Sequence, residues 1–95
     1  MDELVERAVN ASLPVEIDAA TLAGCLSGRI DPTPWRPHLA AFFTELRVEV
    51  IEEFLAQHAV PASDAMRAYE RVARETGERS RDVDDWLGYL AGPAA

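Results

Sequence analysis

The side chains that most often carry catalysis or bind metals are scarce in this 95-residue chain. It contains one cysteine, Cys25, two histidines, His38 and His58, and no lysine. The histidines are expected on one helix, where residues 20 positions apart point to different faces, so they cannot share a metal. Cys25 has no base predicted beside it and is expected to be a small core residue. The sequence therefore predicts a protein that is not an enzyme, with no catalytic residue, no metal site and no cofactor.

Three aspartates near the C-terminal end, Asp82, Asp84 and Asp85, have part of the spacing of a calcium-binding loop. Such a loop also needs a glycine at its sharp turn and a bidentate glutamate at its end, and this segment has neither. Acidic residues are favoured in the first turn of a helix, because the N-terminal end of the helix dipole is positive. The sequence favours this structural role for the three aspartates.

The charge of the chain is acidic but unevenly distributed. Its 9 arginines and 17 acidic residues give a formal net charge of −8, which opposes generic nucleic-acid binding. Residues 67–81 nevertheless hold five arginines against three glutamates, a local charge of +2. The alternative is a solvated helix face on which arginines pair with neighbouring glutamates. If this segment binds nucleic acid, the candidate contacts are Arg67, Arg71, Arg74, Arg79 and Arg81.

Apolar residues at helical spacing predict one all-α domain over 1–95, a compact bundle of about five helices without strands. The predicted helices cover about 2–11, 18–27, 37–58, 63–76 and 80–91, with a proline-rich connector at 29–37 and a short tail at 92–95. Helix N-termini favour side-chain caps and C-termini favour glycine. The candidate N-caps are Asp2, Asp18, Ser63 and Ser80, and the candidate terminating glycines are Gly28 and Gly77.

The predicted helix over 37–58 is the longest element and is expected at the centre of the bundle. Its apolar surface is wider than one stripe, which predicts two neighbours, or one neighbour and a second copy of the chain. The candidate interface residues are Phe42, Phe43, Leu46, Val50 and Phe54. The glutamates of this helix form either a solvated stripe or an acidic face that docks a basic partner: Glu45, Glu49, Glu52 and Glu53.

Residues 69–90 resemble a helix-turn-helix module. Ala73 is the small residue that lets two helices approach, Gly77 turns the chain, and Val83 and Trp86 seat the second helix. This resemblance implies nucleic-acid binding through the start of the second helix. The aspartates of that helix depart from the pattern, since they would repel phosphates.

Residues 47–90 also resemble the ANTAR family of three-helix, RNA-binding antiterminator modules. The resemblance is carried by Asp64-Ala65-Met66, by residues 73–77 (Ala-Arg-Glu-Thr-Gly) and by Arg81-Asp82-Val83. The family's Lys-Gly pair is absent, and glutamates stand in its place. The N-terminal half resembles no family. If the resemblance holds, it implies RNA contacts by Arg74, Arg79 and Arg81.

These observations favour a small interaction or regulatory module that acts as a homodimer or as an adaptor for another protein. Nucleic-acid binding through the arginines is the alternative, and an acidic mimic of nucleic acid that binds a basic protein is a further one. A lone cysteine fits a reducing compartment, and the acidic N-terminus lacks the apolar stretch of a signal peptide. The expected location is therefore cytoplasmic, with no membrane contact.

Overall fold

The computed structural model describes residues 1–90 and Gly92, and within them the all-α prediction is confirmed. These residues form six α-helices, one short 3₁₀ turn and no strand. The helices are α1 (Asp2–Asn10), α2 (Ala19–Leu26), α3 (Arg36–Glu45), α4 (Val48–Gln57), α5 (Ala62–Thr76) and α6 (Arg81–Leu90), and the turn covers Thr33–Trp35. Most of the predicted tail, residues 93–95, lies outside the described residues.

The prediction of one long helix over 37–58 is wrong, because the chain breaks between α3 and α4. Leu46 and Arg47 both adopt extended backbone angles, with ψ of 149° and 150°. The break folds α4 back, so that the rings of Phe42 and Phe54 meet with centroids 5.3 Å apart. In an unbroken helix these residues would lie about 18 Å apart along the axis, since each residue rises about 1.5 Å. Folding back lets both apolar surfaces share one core.

The same fold-back buries most of the predicted interface. Phe42, Phe43 and Phe54 are each 0% exposed and pack edge to face within the chain's own core. Leu46 and Val50 are half-buried and pack against that core. The prediction that these five residues form an intermolecular surface is therefore wrong for the three phenylalanines, whose area is already used inside the monomer.

Two of the four predicted N-caps are present. Asp18 Oδ1 accepts the backbone N–H of Thr21 at 2.7 Å, and Ser80 Oγ accepts that of Val83 at 3.2 Å. Asp2 lies inside the first turn of α1, where its carboxylate pairs with His58 instead of capping. The predicted cap at Ser63 is wrong as well, because α5 begins directly after Pro61.

The helices pack in two groups around the core. Helix α3 packs against α1 and α5, α2 also contacts α1 and α5, and α6 contacts α4. Trp35, in the connector, packs against the core. This arrangement places the end of α2, the connector and one face of α5 side by side. No helix among the described residues is long and apolar enough to cross a membrane.

Candidate functional site

A groove of about 320 Å³ lies where the end of α2, the connector after it and one face of α5, from Asp64 to Glu75, meet. Its position depends on the turn that ends α2. Gly28 adopts φ of +81°, a left-handed conformation that glycine reaches without strain, and this turns the chain back across α2. The groove is therefore bounded on one side by a loop and on the other by a helix.

Gly24 holds this loop close to α2. Its carbonyl accepts the backbone N–H groups of Arg29 at 2.9 Å and Ile30 at 3.1 Å. The Ile30 side chain lies over the bare Cα of Gly24, and a Cβ added there would stand 2.7 Å from Ile30 Cγ1. A glycine inside an eight-residue helix is locally unfavourable, and here it makes room for the wall of the groove.

The floor of the groove is apolar and its rim is charged. Ala68 is half-buried in the floor, beside four fully buried residues from three helices: Cys25, Leu26, Leu39 and Val72. Three guanidinium groups and three carboxylates line the rim: Arg36, Arg67, Arg71, Asp31, Asp64 and Glu75. An open apolar floor with a few charged groups around it is the usual composition of a ligand-binding site.

The rim carboxylates are already engaged. Asp31 accepts the backbone N–H of Thr33 at 3.0 Å and its hydroxyl at 2.7 Å. These hydrogen bonds, with smaller contributions from the nearby charges of Arg71 and Arg36, hold the pKa of Asp31 below its ordinary value. Asp64 and Glu75 each pair with an arginine of α5. Each rim carboxylate therefore has a partner within the chain, through hydrogen bonds for Asp31 and through a single ion-pair contact for Asp64 and for Glu75.

The rim arginines, in contrast, keep most of their donors free. Arg67 lies 3.6 Å from Asp64 and Arg71 lies 3.6 Å from Glu75, and neither donates a hydrogen bond to another described residue. Arg36 donates only its Nε–H, to the Thr33 carbonyl at 3.2 Å. A guanidinium carries five N–H donors in a planar fork that matches a carboxylate. The rim thus presents more donors than acceptors to whatever enters the groove.

The predicted arginine cluster is divided, because Arg67, Arg71 and Arg74 share one face of α5 whereas Arg79 and Arg81 lie beyond its end. Arg67 and Arg71 line the groove, and Arg79 lies at the turn between α5 and α6. Arg74 and Arg81 are exposed and form no ion pair with any described residue. The structure therefore does not bring the five arginines together into one patch.

Arg79 belongs to a closed polar network around Tyr69. Its guanidinium donates to Glu70 at 3.2 Å and to Asp84 at 2.8 Å, and it lies 5.3 Å from the centre of the Tyr69 ring. The Tyr69 hydroxyl donates to Asp84 at 2.8 Å and accepts the backbone N–H of Ser80 at 2.9 Å. These partners raise the pKa of Arg79 and lower that of Asp84.

This network has a consequence for the helix-turn-helix resemblance. Gly77 does turn the chain, with φ of +76°, and Val83 is buried as expected for a residue that seats the second helix. Arg79, however, would have to leave two carboxylates and an aromatic ring before it could contact a phosphate. Of the three arginines that the ANTAR resemblance implies as RNA contacts, Arg74 and Arg81 form no ion pair with a described residue, whereas Arg79 is held in this network.

The predicted acidic face is exposed but is spread over two helices. Glu45 ends α3, whereas the other three glutamates lie on α4, so the stripe is interrupted by the break. Glu49 is 3.8 Å from Arg47. All four side chains face solvent: Glu45, Glu49, Glu52 and Glu53.

The three residues best suited to chemistry each have different partners. Cys25 is buried in the groove floor, where loss of solvent and, secondarily, the charge of Asp31 raise the pKa of its thiol. His38 is buried on α3 and donates from Nε2 to the carbonyl of Val15, and His58 at the end of α4 lies 2.9 Å from Asp2. No group of three or more metal-binding side chains occurs among residues 1–90.

The groove is not predicted by the sequence. Its lining comes from α2, the connector, α3 and α5, and no spacing along the chain places these segments together. One signal was present in the sequence, namely a glycine inside α2 at a position where alanine would favour the helix. That signal indicates a close approach but does not say which segment approaches.

No family model, no curated protein and no solved structure matches this chain.

Proposed function

We propose that this chain is a small, non-catalytic protein-interaction module that binds a short segment of a partner protein in the groove between α2 and α5. The observation that carries the proposal is a groove with a buried apolar base, a partly exposed Ile30 in its wall, and two rim arginines, Arg67 and Arg71, that donate no hydrogen bond to another described residue. A segment with one apolar side chain next to a carboxylate satisfies both features at once. The apolar side chain covers the floor, and the carboxylate accepts from the rim.

The remainder of the molecule supports an interaction role at this place. The three phenylalanines of the predicted interface are buried in the core, so they form no second apolar surface. The groove thiol is held in its neutral, weakly nucleophilic form by burial, so the floor acts as a surface for packing. Burial of an apolar side chain removes area from water at about 25 cal/mol per Å², which is the main favourable term available here.

The proposal is tested by selecting peptides from a displayed random library on the immobilised protein. We expect enrichment of sequences in which a large apolar residue stands beside Asp or Glu. The groove variant is Ala68→Glu, which fills the floor and adds a competing carboxylate. The matched control is Ala56→Glu, the same change on the exposed face of α4. Both variants are first checked for folding by circular dichroism and thermal unfolding.

A charge test separates the rim from the floor. Arg67→Gln with Arg71→Gln keeps the shape of the groove but removes two cations, and we expect the selected peptides to lose their acidic residue and keep the apolar one. Arg47→Gln with Arg81→Gln removes the same charge from exposed positions that do not line the groove, and should leave the selection unchanged. Peptides that bind the wild type and Ala68→Glu equally well, or no enrichment at all, would contradict the proposal.

A further inference from the structure

The C-terminal end of α6 carries the largest exposed aromatic surface of the described chain. Tyr89 is 82% exposed and Leu90 is 43% exposed, although both are large apolar residues. Helix α6 packs on the core through the buried Val83 and Leu87; Tyr89 lies on the opposite side of the helix, and Leu90 continues the side of Val83 and Leu87 beyond the last buried residue. The end of α6 therefore presents an apolar tip for which the monomer has no cover among the described residues.

Carboxylates share a face of α6 with this tip. Asp82, Asp85 and Tyr89 are spaced by three and four residues, so they lie one above another on one side of the helix. Asp82 and Asp85 are exposed and form no ion pair with another described residue. Asp84, in contrast, is held by Arg79 and Tyr69. The face that bears Tyr89 is thus apolar at its end and acidic along its length.

We propose that the groove of one copy of this chain binds the end of α6 of a second copy. The inference rests on the proposed function, since it names the segment that the groove takes. The tip supplies an aromatic side chain for the apolar floor, and Asp82 and Asp85 supply carboxylates for Arg67 and Arg71. Arg67 and Arg71 have exposed side chains and contact Asp64 and Glu75 only at 3.6 Å, so their guanidinium groups can donate hydrogen bonds to carboxylates on an approaching helix.

The tip cannot be the occupant of its own groove in this fold. Helix α6 contacts α4, and no residue of α6 lines the groove. The two surfaces are therefore different patches of one molecule, and the contact between copies is head to tail. Such heterologous contacts close into rings or continue as open chains, depending on the rotation between copies.

A head-to-tail contact can be distinguished experimentally from a symmetric dimer, because it allows association beyond two copies. Sedimentation velocity of the wild type is measured from low micromolar to near-millimolar concentration. We expect its mean mass to rise with concentration, and to rise less at high salt. The tip variant, Tyr89→Ser with Leu90→Ser, and the groove variant, Ala68→Glu, should each weaken self-association by ~tenfold or more, the scale seen when a buried aromatic anchor is lost. The control Ala56→Glu should associate as the wild type does.

The deciding measurement is an equimolar mixture of the tip and groove variants. The groove variant still has a tip and the tip variant still has a groove, so one productive contact remains. We expect the mixture to form a dimer that does not grow further. A wild type that stays monomeric at every concentration, or a mixture that fails to dimerise where the wild type associates, would overturn the inference. If peptide selection on the groove succeeds in that case, the proposed function stands and only the second copy is excluded as its ligand.

Discussion

The hydroxyl of Tyr69 on α5 lies 2.8 Å from Oδ1 of Asp84 on α6, and this hydrogen bond joins the two helices across the turn at Gly77. The Tyr69 ring is fully buried, whereas its hydroxyl also binds both backbone polar groups of Ser80. One side chain thus anchors α5 in the core and fixes the start of α6. The direction in which the end of α6 projects depends on this anchor.

The first prediction concerns removal of the anchor's hydroxyl. Tyr69→Phe keeps the ring but leaves the Ser80 N–H and the Asp84 carboxylate without this partner. We expect a loss of ~0.5–1.5 kcal/mol in the free energy of unfolding, the usual net contribution of a hydrogen bond, because Ser80 and Asp84 are only partly buried and Asp84 keeps its bond to Arg79. Urea unfolding measures it. Tyr89→Phe is the control, because that hydroxyl is on an exposed ring. Equal stability of Tyr69→Phe and the wild type would contradict the role of the network.

The second prediction is the pH dependence that Asp84 adds. Its pKa is lowered in the folded state, chiefly by the hydrogen bond from Arg79 and also by that from Tyr69. A lowered folded pKa means that the stabilisation is complete above the unfolded value of about 3.9 and is lost as the pH falls from there through the folded pKa. Asp84→Asn should therefore flatten the fall in stability in this acid range. Asp85→Asn, without an ion-pair partner among the described residues, should leave the slope closer to that of the wild type.

The sequence predicts where two helices end, at Gly28 and Gly77, but does not predict the break between α3 and α4. Gly77 and Gly28 terminate their helices as their positions predict, because the left-handed end of a helix favours glycine locally. The break at Leu46 and Arg47 has no such local signal. It arises because two apolar surfaces gain more by packing Phe42 against Phe54 than by continuing one helix, which is a property of the whole fold.

The candidate site is likewise only partly predictable from the sequence. The charge pattern identifies Arg67 and Arg71 as candidate binding residues. Their setting is not predicted, because the floor beneath them is supplied by Cys25 and Leu39 from distant parts of the chain. Similarly, Glu70 was available to Arg74 one turn away, but it binds Arg79 in the folded chain. Long-range packing, and not local spacing, decides these partners.

A third prediction compares two helical glycines. Gly88→Ala on α6 should increase stability by ~0.5–1 kcal/mol, since alanine favours a helix and its Cβ meets no other atom within 4 Å. Gly24→Ala on α2 should lack this gain, because its Cβ collides with Ile30. The double variant Gly24→Ala with Ile30→Ala removes the collision and should be more stable than Ile30→Ala alone, because the helix then gains from alanine at position 24. Thermal and urea unfolding of these four variants provide the comparison. A full gain for Gly24→Ala alone would show that Ile30 does not pack there.

A fourth prediction concerns the single thiol. Cys25 is 2% exposed and its pKa is raised, so little reactive thiolate is present near neutral pH. We expect slow reaction of the native protein with a disulfide reagent such as dithionitrobenzoate, and fast reaction after unfolding in urea. Fast labelling of the native chain, at the rate of a free thiol, would place Cys25 on an open surface and would conflict with its position in the groove floor.

The most direct test of the central claim is an amide chemical-shift map of the labelled protein, recorded during titration with a peptide selected on it. If the peptide binds in the groove, we expect shifts at the end of α2, in the connector up to Arg36 and along α5 near Ala68. Binding should be lost in Ala68→Glu and kept in Ala56→Glu. Shifts confined to the glutamates of α4, or to Arg74 and Arg81, would contradict the proposal. Such shifts would show that the peptide binds at the acidic face or at Arg74 and Arg81 and not in the groove.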